Sequence, residues 1–498
     1  MKQSLPVVWT VAGTDPTSGA GIQADLQVMN RLGVHGCSVI TAVIAQHTRG
    51  VQMIEFPTEH IIHAQLDALA EDMPPAAVKI GMLGNLPTAQ AVYETVSGIQ
   101  AFTVYDPVQS SSGGTSLLTA DAEKWITRHL LPHINLLTPN IPEAESITGN
   151  SIRTPNDVEQ TAKQLLKTGV SAVVLKGGHR NHLYCRDFFT DGSTDCWLTS
   201  PRIHTDSTHG TGCVFSSAVA ACMALGYTLP DAVILAKAYI NQGMHRAIAL
   251  GHGKGPLRLN GWPVDPENLP WLTEHADQGE SRMAFPDCGN EELGLYPLVD
   301  SLDWLKKLLP MGIQTIQLRI KDGDTATVES VIDEAVQLAR KYQARLFIND
   351  YWKLAIKTGA YGVHLGQEDL VTADLTAIQE AGLRLGTSVH SYRELAGVAA
   401  FLPSYIAIGT VYPTPSKPGL AQPLGVEGFR RLCRLSPVPV VAIGGIHLDN
   451  AEPVLAAGAN GIAVISAIRN EPRLEEALPH WQALFHADIS APNSSTTS

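Results

Sequence analysis

Hydrophobic positions in the first half of the chain fall into short runs, separated by longer stretches in which apolar residues recur at helical spacing. The clearest runs lie at 7–12, 38–45, 78–82, 103–108, 136–138 and 172–176. Strands alternating with amphipathic helices predict a layered α/β domain. Over 183–205 the texture changes to two extended segments flanking Asp191-Gly192, a tight-hairpin dipeptide. Two helices are then expected, beginning at Gly212 and Asp231. Between 257 and 292 the order lapses: Pro263, Pro266, Pro270 and Pro286 interrupt a polar stretch. This reads as a linker with a short helix, its Trp262 and Trp271 packed on a domain.

From Leu295 onward a second rhythm sets in. Eight short apolar runs (YPLVD, TIQLRIK, RLFIND, GVHLG, RLGTSVH, YIAIGTV, VPVVAIGG and GIAVISA) are each followed by a helix-like stretch. Eight such units in under two hundred residues predict a compact (β/α)8 barrel rather than an open sheet. Arg319, Lys321, Asn349, Asp350, Ser388, Gly444 and Gly445 stand at the C-terminal ends of these runs, where a barrel builds its active site. The expected domains are 1–256 and 293–498, with 257–292 between them.

Composition narrows the function classes. The net charge of -13 over 498 residues argues against a nucleic-acid scaffold, while local basic pockets for small phosphates stay compatible with it. The seven cysteines (37, 185, 196, 213, 222, 288 and 433) form no CxxC pair and are odd in number. That pattern suits reduced thiols better than a disulfide framework or zinc site. The N-terminus lacks a signal-peptide pattern, and no apolar run reaches the roughly 20 residues of a membrane span, so a cytoplasmic location without a membrane partner is expected.

The first half has no GxxxxGK[ST] phosphate loop. Its phosphate-binding candidate is His209-Gly210-Thr211-Gly212-Cys213, running into the helix-like VFSSAVAACMALG. Glycines let a backbone approach an anion and helix N-terminal N–H groups favour negative charge, although such a turn also serves as a plain cap. With its neighbours the motif acquires a family. AGTDPTSGAGIQADL (12–26), VITAVIAQHTRGVQ (39–52), VKIGMLGN (78–85), YDPV (105–108), LLTPNIPEAE (136–145), VVLKGGH (173–179) and HGTGC (209–213) resemble, in order, the hydroxymethylpyrimidine and phosphomethylpyrimidine kinases, members of the ribokinase-like superfamily.

That resemblance implies roles. Gln46 reads the pyrimidine's polar edge, for which an amide's adjacent donor and acceptor are suited, and Gly13, Ala20, Met82 and Val108 line the rest of the pocket. Met82 and Val108 also read as plain core residues. Asn140 and Glu143 form the superfamily's NxxE, which organises magnesium and phosphate; Lys176 contacts ATP, and Gly210, Thr211 and Gly212 supply the anion-binding turn. Cys213 stands where sugar kinases of this superfamily carry an aspartate base. A thiol whose pKa is lowered at a helix N-terminus would accept the substrate hydroxyl proton; the alternative is a small buried residue. His47 and Gln109 depart from the family pattern, where asparagine and methionine are usual, leaving tolerance of pyridoxal-like substrates open.

The barrel resembles thiamine phosphate synthase through QLRIK (317–321), FIND (347–350), GVHLGQEDL (362–370), LGTSVH (385–390), YPTPSKPG (412–419), VAIGGI (441–446) and VISAI (464–468). On an extended strand Gln317, Arg319 and Lys321 alternate onto one face, with Leu318 and Ile320 on the other. By resemblance this QLRIK segment, with Asn349, Ser388 and Lys417, binds a pyrimidine diphosphate. Asp350 and Asp369 hold magnesium, and Thr414, Pro415, Ser416, Gly445, Ile465 and Ser466 grip a thiazole phosphate. Ser416 replaces the usual threonine and keeps its hydroxyl.

The implied sequence of reactions is coherent. ATP would phosphorylate hydroxymethylpyrimidine twice, and the thiazole nitrogen would displace pyrophosphate from the product, with Arg319, Lys321 and magnesium stabilising the leaving charge. Two rivals compete with this reading. One is a pyridoxal or pyrimidine kinase fused to a silent, regulatory ligand-binding barrel, against which the intact Gln317, Arg319, Lys321, Asp350 and Asp369 count. The other is a sugar kinase with a phosphosugar barrel, against which Gln46 and Cys213 count. Self-association is an expectation by analogy between folds alone.

Overall fold

A computed structural model describes residues 5–111, 113–178, 182–276, 282–289, 292–321, 324–414 and 422–486. The chain forms two compact units, Met1–Ser281 and Arg282–Ser498.

The first unit is built on β1 (Val7–Gly13), β2 (His35–His47), β3 (Gly50–Glu55), β4 (Ala77–Ile80), β5 (Phe102–Tyr105), β6 (Leu136–Leu137), β7 (Ala172–Leu175), β8 (Tyr184–Thr190), β9 (Asp195–Pro201) and β10 (Trp271–Thr273). They join in one ten-stranded sheet, ordered β10-β9-β8-β7-β6-β5-β4-β1-β2-β3. The central pairs, from β2 through β1 and β4 to β7, are parallel, and β3, β8, β9 and β10 add antiparallel edges. The β8–β9 hairpin turns at Asp191, whose carboxylate accepts from the Ser193 and Thr194 amides at 2.9 and 2.7 Å, as the Asp-Gly signal predicts. Helix Gly21–Leu32 packs against helix Thr211–Ala224, which in turn lies on β4 and β5 and against helix Leu229–His245. Helix Thr211–Ala224 is buried continuously from Val214 to Cys222, which is why its sequence is apolar all round.

The proline-rich stretch behaves differently from a linker over its first part. Residues 257–276 belong to the first unit, and Trp271, buried at 3% exposure, opens the edge strand β10. Side chains of helix Leu229–His245 satisfy its backbone: Tyr239 Oη donates to the Asn260 carbonyl at 2.8 Å, Asn241 to that of Asn268 at 2.9 Å, and Gln242 to that of Gly261 at 3.0 Å. A segment held by side-chain bonds needs no hydrophobic period of its own, so the sequence showed none.

Inside this unit Lys79 and Asp25 form a fully buried ion pair at 2.7 Å. Thr10 and Ser217 also donate to Asp25, at 2.5 and 2.7 Å. Burial works against the Lys79 charge, but Asp25 outweighs it and holds the ammonium above its usual range. Lys79→Met should therefore strand a buried carboxylate and destabilise the unit by about 3–5 kcal/mol. Denaturant unfolding of the full chain, followed by hydrogen exchange in β1 and β4, checks this; an unchanged midpoint would contradict it.

The second unit is a closed barrel of eight parallel strands in sequence order: β11 (Gly294–Val299), β12 (Thr315–Leu318), β13 (Arg345–Asn349), β14 (Gly362–Leu365), β15 (Arg384–Val389), β16 (Tyr405–Gly409), β17 (Val440–Ile443) and β18 (Gly461–Val464). Each falls on one of the eight apolar runs. The interior is packed by Tyr296, Phe347, Tyr405, Ala407, Val441 and Ala463, together with Cys288 and Leu293. At the N-terminal end Arg345 and Arg384 donate to the carbonyls of Cys288 and Asp287 at 3.3 and 3.0 Å, drawing the preceding segment across the barrel's base.

Candidate functional sites

In each unit a large cavity opens where the parallel strands end, the position at which α/β sheets and barrels bind ligands. The first, of about 660 Å³, gathers every residue expected there: Gly13, Ala20, Gln46, Met82, Val108, Asn140, Glu143, Lys176, Gly210, Thr211, Gly212 and Cys213. It divides by chemistry. Ala42, Ile44, Met82 and Leu117 form a small apolar cluster with Val108 packed against it, beside Gly13, whose Cβ position would lie 3.1 Å from Ile44. Gln46 closes this pocket from the end of β2 and hydrogen-bonds to Asp15.

Asp15 is the hub of the β1 loop. Its carboxylate accepts from Thr17 and Ala20 amides and faces His209 Nε2, each at 2.8 Å. Burial alone would raise its pKa, but the bonds from His209, Gln46 and Thr17 win and hold it near 2. The loop meets the HGTGC turn closely: Gly210 has φ of 78°, and a Cβ there would lie 1.8 Å from the Gly19 carbonyl. Only glycine fits, and the helix Thr211–Ala224 begins immediately after it.

Asn140 and Glu143 form a reciprocal capping box. The Asn140 side chain accepts from the Glu143 amide at 2.9 Å, and Glu143 Oε2 accepts from the Asn140 amide at 2.8 Å. The motif therefore builds the helix Ile141–Thr148 and also lines the cavity. Burial pushes the Glu143 carboxyl upward, Lys176 opposes this, and Asp106 adds to it. Lys176 Nζ is paired with Asp106 at 2.7 Å, and both lie about as close to Gly212 as a Cβ there would tolerate, at 3.0 Å.

The expected low pKa of Cys213 is overturned. Burial pushes the thiol up to about 11, and the nearby Asp25 and Asp106 charges add to this; Lys79 and the Gly21 amide oppose them without prevailing. Helix N-terminal amides favour a thiolate, but here burial outweighs them. Here the thiol is neutral at rest.

The second cavity, of about 610 Å³, is lined by Gln317, Arg319, Asn349, Asp350, Asp369, Ser388, Thr414, Gly445, Ile465 and Ser466. The alternation expected to carry Lys321 onto the face of Gln317 stops early: β12 ends at Leu318, and Lys321 is exposed and outside the cavity lining among the described residues. Arg319 takes its place through the last ladder bond, its amide donating to the Val299 carbonyl at 2.7 Å. Leu318 is buried and Ile320 half-buried, and neither lines the cavity. Pro415, Ser416 and Lys417 lie outside the described residues.

Asp350 occupies the left-handed region, with φ of 68°, which aspartate tolerates better than most residues. Its carboxyl is pushed up to about 6 by burial, by the charge of Asp369 and by their mutual hydrogen bond, with Arg319 opposing. Two carboxylates in such contact form a hard oxygen donor set that a divalent cation would relieve. Among the described residues no group of three or more His, Cys, Asp or Glu gathers as a metal centre, so the pair needs substrate oxygens or water to complete a shell. No helix among the described residues is long and apolar enough to cross a membrane.

Sequence reading missed several lining groups. Asp15, Lys79 and Asp106 in the first cavity, and Tyr296, His364 and Tyr405 in the second, sit inside quoted motifs or apolar runs. The available signal was a polar residue interrupting a strand, as in AVKI and GVHL.

Fold and site together define a ribokinase-like kinase joined to a thiamine phosphate synthase barrel. Residues 15–258 match the phosphomethylpyrimidine kinase family and residues 295–468 the thiamine monophosphate synthase family. The chain is 33% identical over 487 residues to the chloroplastic thiamine biosynthetic bifunctional enzyme of Arabidopsis thaliana, covering 94% of this chain and 90% of the relative. The barrel is 55% identical over 189 residues to the thiamine-phosphate synthase of Yersinia pseudotuberculosis, covering 37% of this chain and 88% of the relative. A crystal structure of phosphomethylpyrimidine kinase from Clostridium difficile 630 is similar at 37% identity and a TM-score of 0.43, covering 47% of this chain and 97% of that one. The chain belongs to the family of bifunctional thiamine biosynthetic enzymes. It is a phosphomethylpyrimidine kinase and a thiamine-phosphate synthase in one polypeptide, which removes the silent-barrel and sugar-kinase alternatives.

Proposed function

We propose that the unit Met1–Ser281 phosphorylates hydroxymethylpyrimidine and then its monophosphate, and that the unit Arg282–Ser498 condenses the diphosphate with thiazole phosphate, carboxylated or not. The observation that carries the kinase assignment is the single cavity joining Gln46 to Cys213 and Lys176. Gln46, oriented by Asp15, reads the pyrimidine edge, and Gly13, Ala20, Met82 and Val108 pack its ring. ATP is the phosphoryl donor. Gly210, Thr211 and Gly212 face its phosphates, Lys176 exchanges its Asp106 partner for phosphate oxygen, and Asn140 with Glu143 would organise a magnesium ion that offsets the phosphate charge. Cys213 accepts the hydroxyl proton in the first transfer.

In the barrel, Gln317, Arg319, Asn349 and Ser388 hold the pyrimidine diphosphate, and the sequence resemblance assigns Lys321 and Lys417 to it as well. Thr414, Pro415, Ser416, Gly445, Ile465 and Ser466 hold the thiazole phosphate. Asp350 and Asp369 would hold magnesium, which when bound offsets the charge of the pyrophosphate oxygens. Arg319 acts on the same charge as the C–O bond breaks, and the thiazole nitrogen supplies the electron pair of the new C–N bond. A cytoplasmic location and a homo-oligomer complete the reading, supported by seven cysteines that form no disulfide and by exposed Val43 and Met53 on the β2–β3 edge hairpin.

Gln46→Leu tests the pocket. The KM for hydroxymethylpyrimidine should rise about tenfold or more while the KM for ATP is unchanged, because one polar contact to the ring is removed. An equal rise in both would place Gln46 outside the pyrimidine site.

A further inference from the structure

Five polar side chains from five strands form one continuous line beneath the synthase cavity. Gln317 Nε2 donates to Tyr296 Oη at 3.3 Å, and Tyr296 Oη meets Tyr405 Oη at 2.7 Å. Tyr405 Oη meets His364 Nδ1 at 2.9 Å, and His364 Nε2 meets Ser388 Oγ at 3.0 Å. Gln317, Tyr296, Tyr405 and His364 are each at most 6% exposed. The line is built into the packing: a Cβ at Gly386 would lie 2.2 Å from the Tyr405 ring, so this glycine makes the room that the tyrosine fills. Phe347 packs edge-on against the same ring, with centroids 5.0 Å apart.

Proton counting gives the line a direction. An amide nitrogen only donates, so Tyr296 accepts from Gln317, and the arrangement in which every hydrogen of the line finds an acceptor has Tyr296 giving its own to Tyr405. Tyr405 in turn gives its hydrogen to His364 Nδ1. The imidazole, neutral, then carries its proton on Nε2 and donates to Ser388. Gln317 and Ser388 both line the cavity. In this state the amide has its carbonyl left for a ligand, and the serine has its hydroxyl hydrogen left. Rotating the amide reverses every link together, and the cavity then meets an amide donor and a serine acceptor. A state with only some links reversed makes one group of the line accept twice and leaves a hydroxyl hydrogen with no acceptor in the line, or leaves two acceptors facing each other.

We propose that Tyr296, Tyr405 and His364 are positioning residues that bind Gln317 and Ser388 into one matched acceptor–donor pair for the edge of an aminopyrimidine. The exocyclic amine donates to the Gln317 carbonyl, and the adjacent ring nitrogen accepts from Ser388. An oxo analogue, with a carbonyl and a ring N–H in those places, demands the reversed line. The inference rests on the assignment of Gln317 and Ser388 to the pyrimidine diphosphate.

The test uses the full chain, with the 4-oxo analogue of the pyrimidine diphosphate as a competitive inhibitor of thiamine phosphate formation. The ratio of its KI to the KM of the amino substrate is measured for native protein, Tyr405→Phe, Tyr296→Phe and Ser388→Ala. Breaking the line at either tyrosine frees its two ends to turn independently, so the ratio should fall about tenfold or more, with the KM for thiazole phosphate unchanged. Two tyrosine variants are used so that misfolding of one does not decide the matter. If both keep the native ratio while Ser388→Ala raises the KM for the diphosphate, the line is overturned and the site assignment stands. If Ser388→Ala behaves as native, the assignment falls and the line with it.

Discussion

Asp350→Ala is expected to lower thiamine phosphate formation about a thousandfold while leaving both phosphorylations intact, so that pyrimidine diphosphate accumulates. The argument starts from a cost. Asp350 is held at the end of β13 with its backbone in the left-handed region, and burial, with the charge of Asp369 added to it, raises its carboxyl to about 6. Like charges this close destabilise the empty site. Asp350 and Asp369 would hold a divalent cation, which would offset the charge of both carboxylates. A second readout follows that does not depend on turnover. Asp350→Asn removes the repulsion, so the magnesium-free protein should melt at a higher temperature than native. It should also lose the further stabilisation that magnesium gives the native chain. A variant that melts lower without magnesium and still gains from it would remove the pair from metal binding.

Cys213→Ala is expected to slow phosphorylation of hydroxymethylpyrimidine by about 10²–10⁴-fold, the usual size of a general-base contribution. Phosphorylation of the monophosphate should suffer much less. In the first transfer the nucleophile is a hydroxyl that must lose a proton; in the second it is a phosphate oxygen already ionised at neutral pH. The raised thiol sets the pH dependence. A base whose pKa is about 11 is protonated at neutral pH, and its thiolate fraction grows tenfold with each pH unit below that value. The first-step kcat of native protein should therefore rise through pH 7–9, and the residual rate of Cys213→Ala should not. Lys79 is the charge that favours the thiolate, which links the catalytic thiol to the buried pair that stabilises the sheet. A flat native profile, or equal losses in both phosphorylations, would assign Cys213 to packing.

Much of this was legible before any coordinates. All eight barrel strands fall on apolar runs because each is short, buried and bounded by polar residues. The kinase strands β1, β4, β5, β6 and β7 were visible for the same reason. β3 and β10 were not: Gly50–Glu55 is half-exposed at the sheet's edge, and Trp271–Thr273 is three residues long among prolines. Asn140 and Glu143 came from the family resemblance, whereas local pattern placed Asn349, Asp350 and Ser388 at strand ends, where the barrel's cavity lies. It misled at Lys321, because alternation holds only while a strand lasts, and at the Cys213 pKa, because a helix terminus is visible in sequence and desolvation is not. The Tyr296–Tyr405–His364 line was invisible for a similar reason. Its members come from β11, β16 and β14, and only barrel closure brings them together.

The most direct test of the central claim, two separable sites in one chain, is a single-vessel reaction of hydroxymethylpyrimidine, thiazole phosphate, ATP and magnesium, read by mass spectrometry. Native protein should form thiamine phosphate. Cys213→Ala alone should stall at unphosphorylated pyrimidine yet still convert supplied pyrimidine diphosphate. Asp350→Ala alone should stop at the diphosphate, and the two variants mixed should restore thiamine phosphate. Loss of both activities in either single variant would contradict the account.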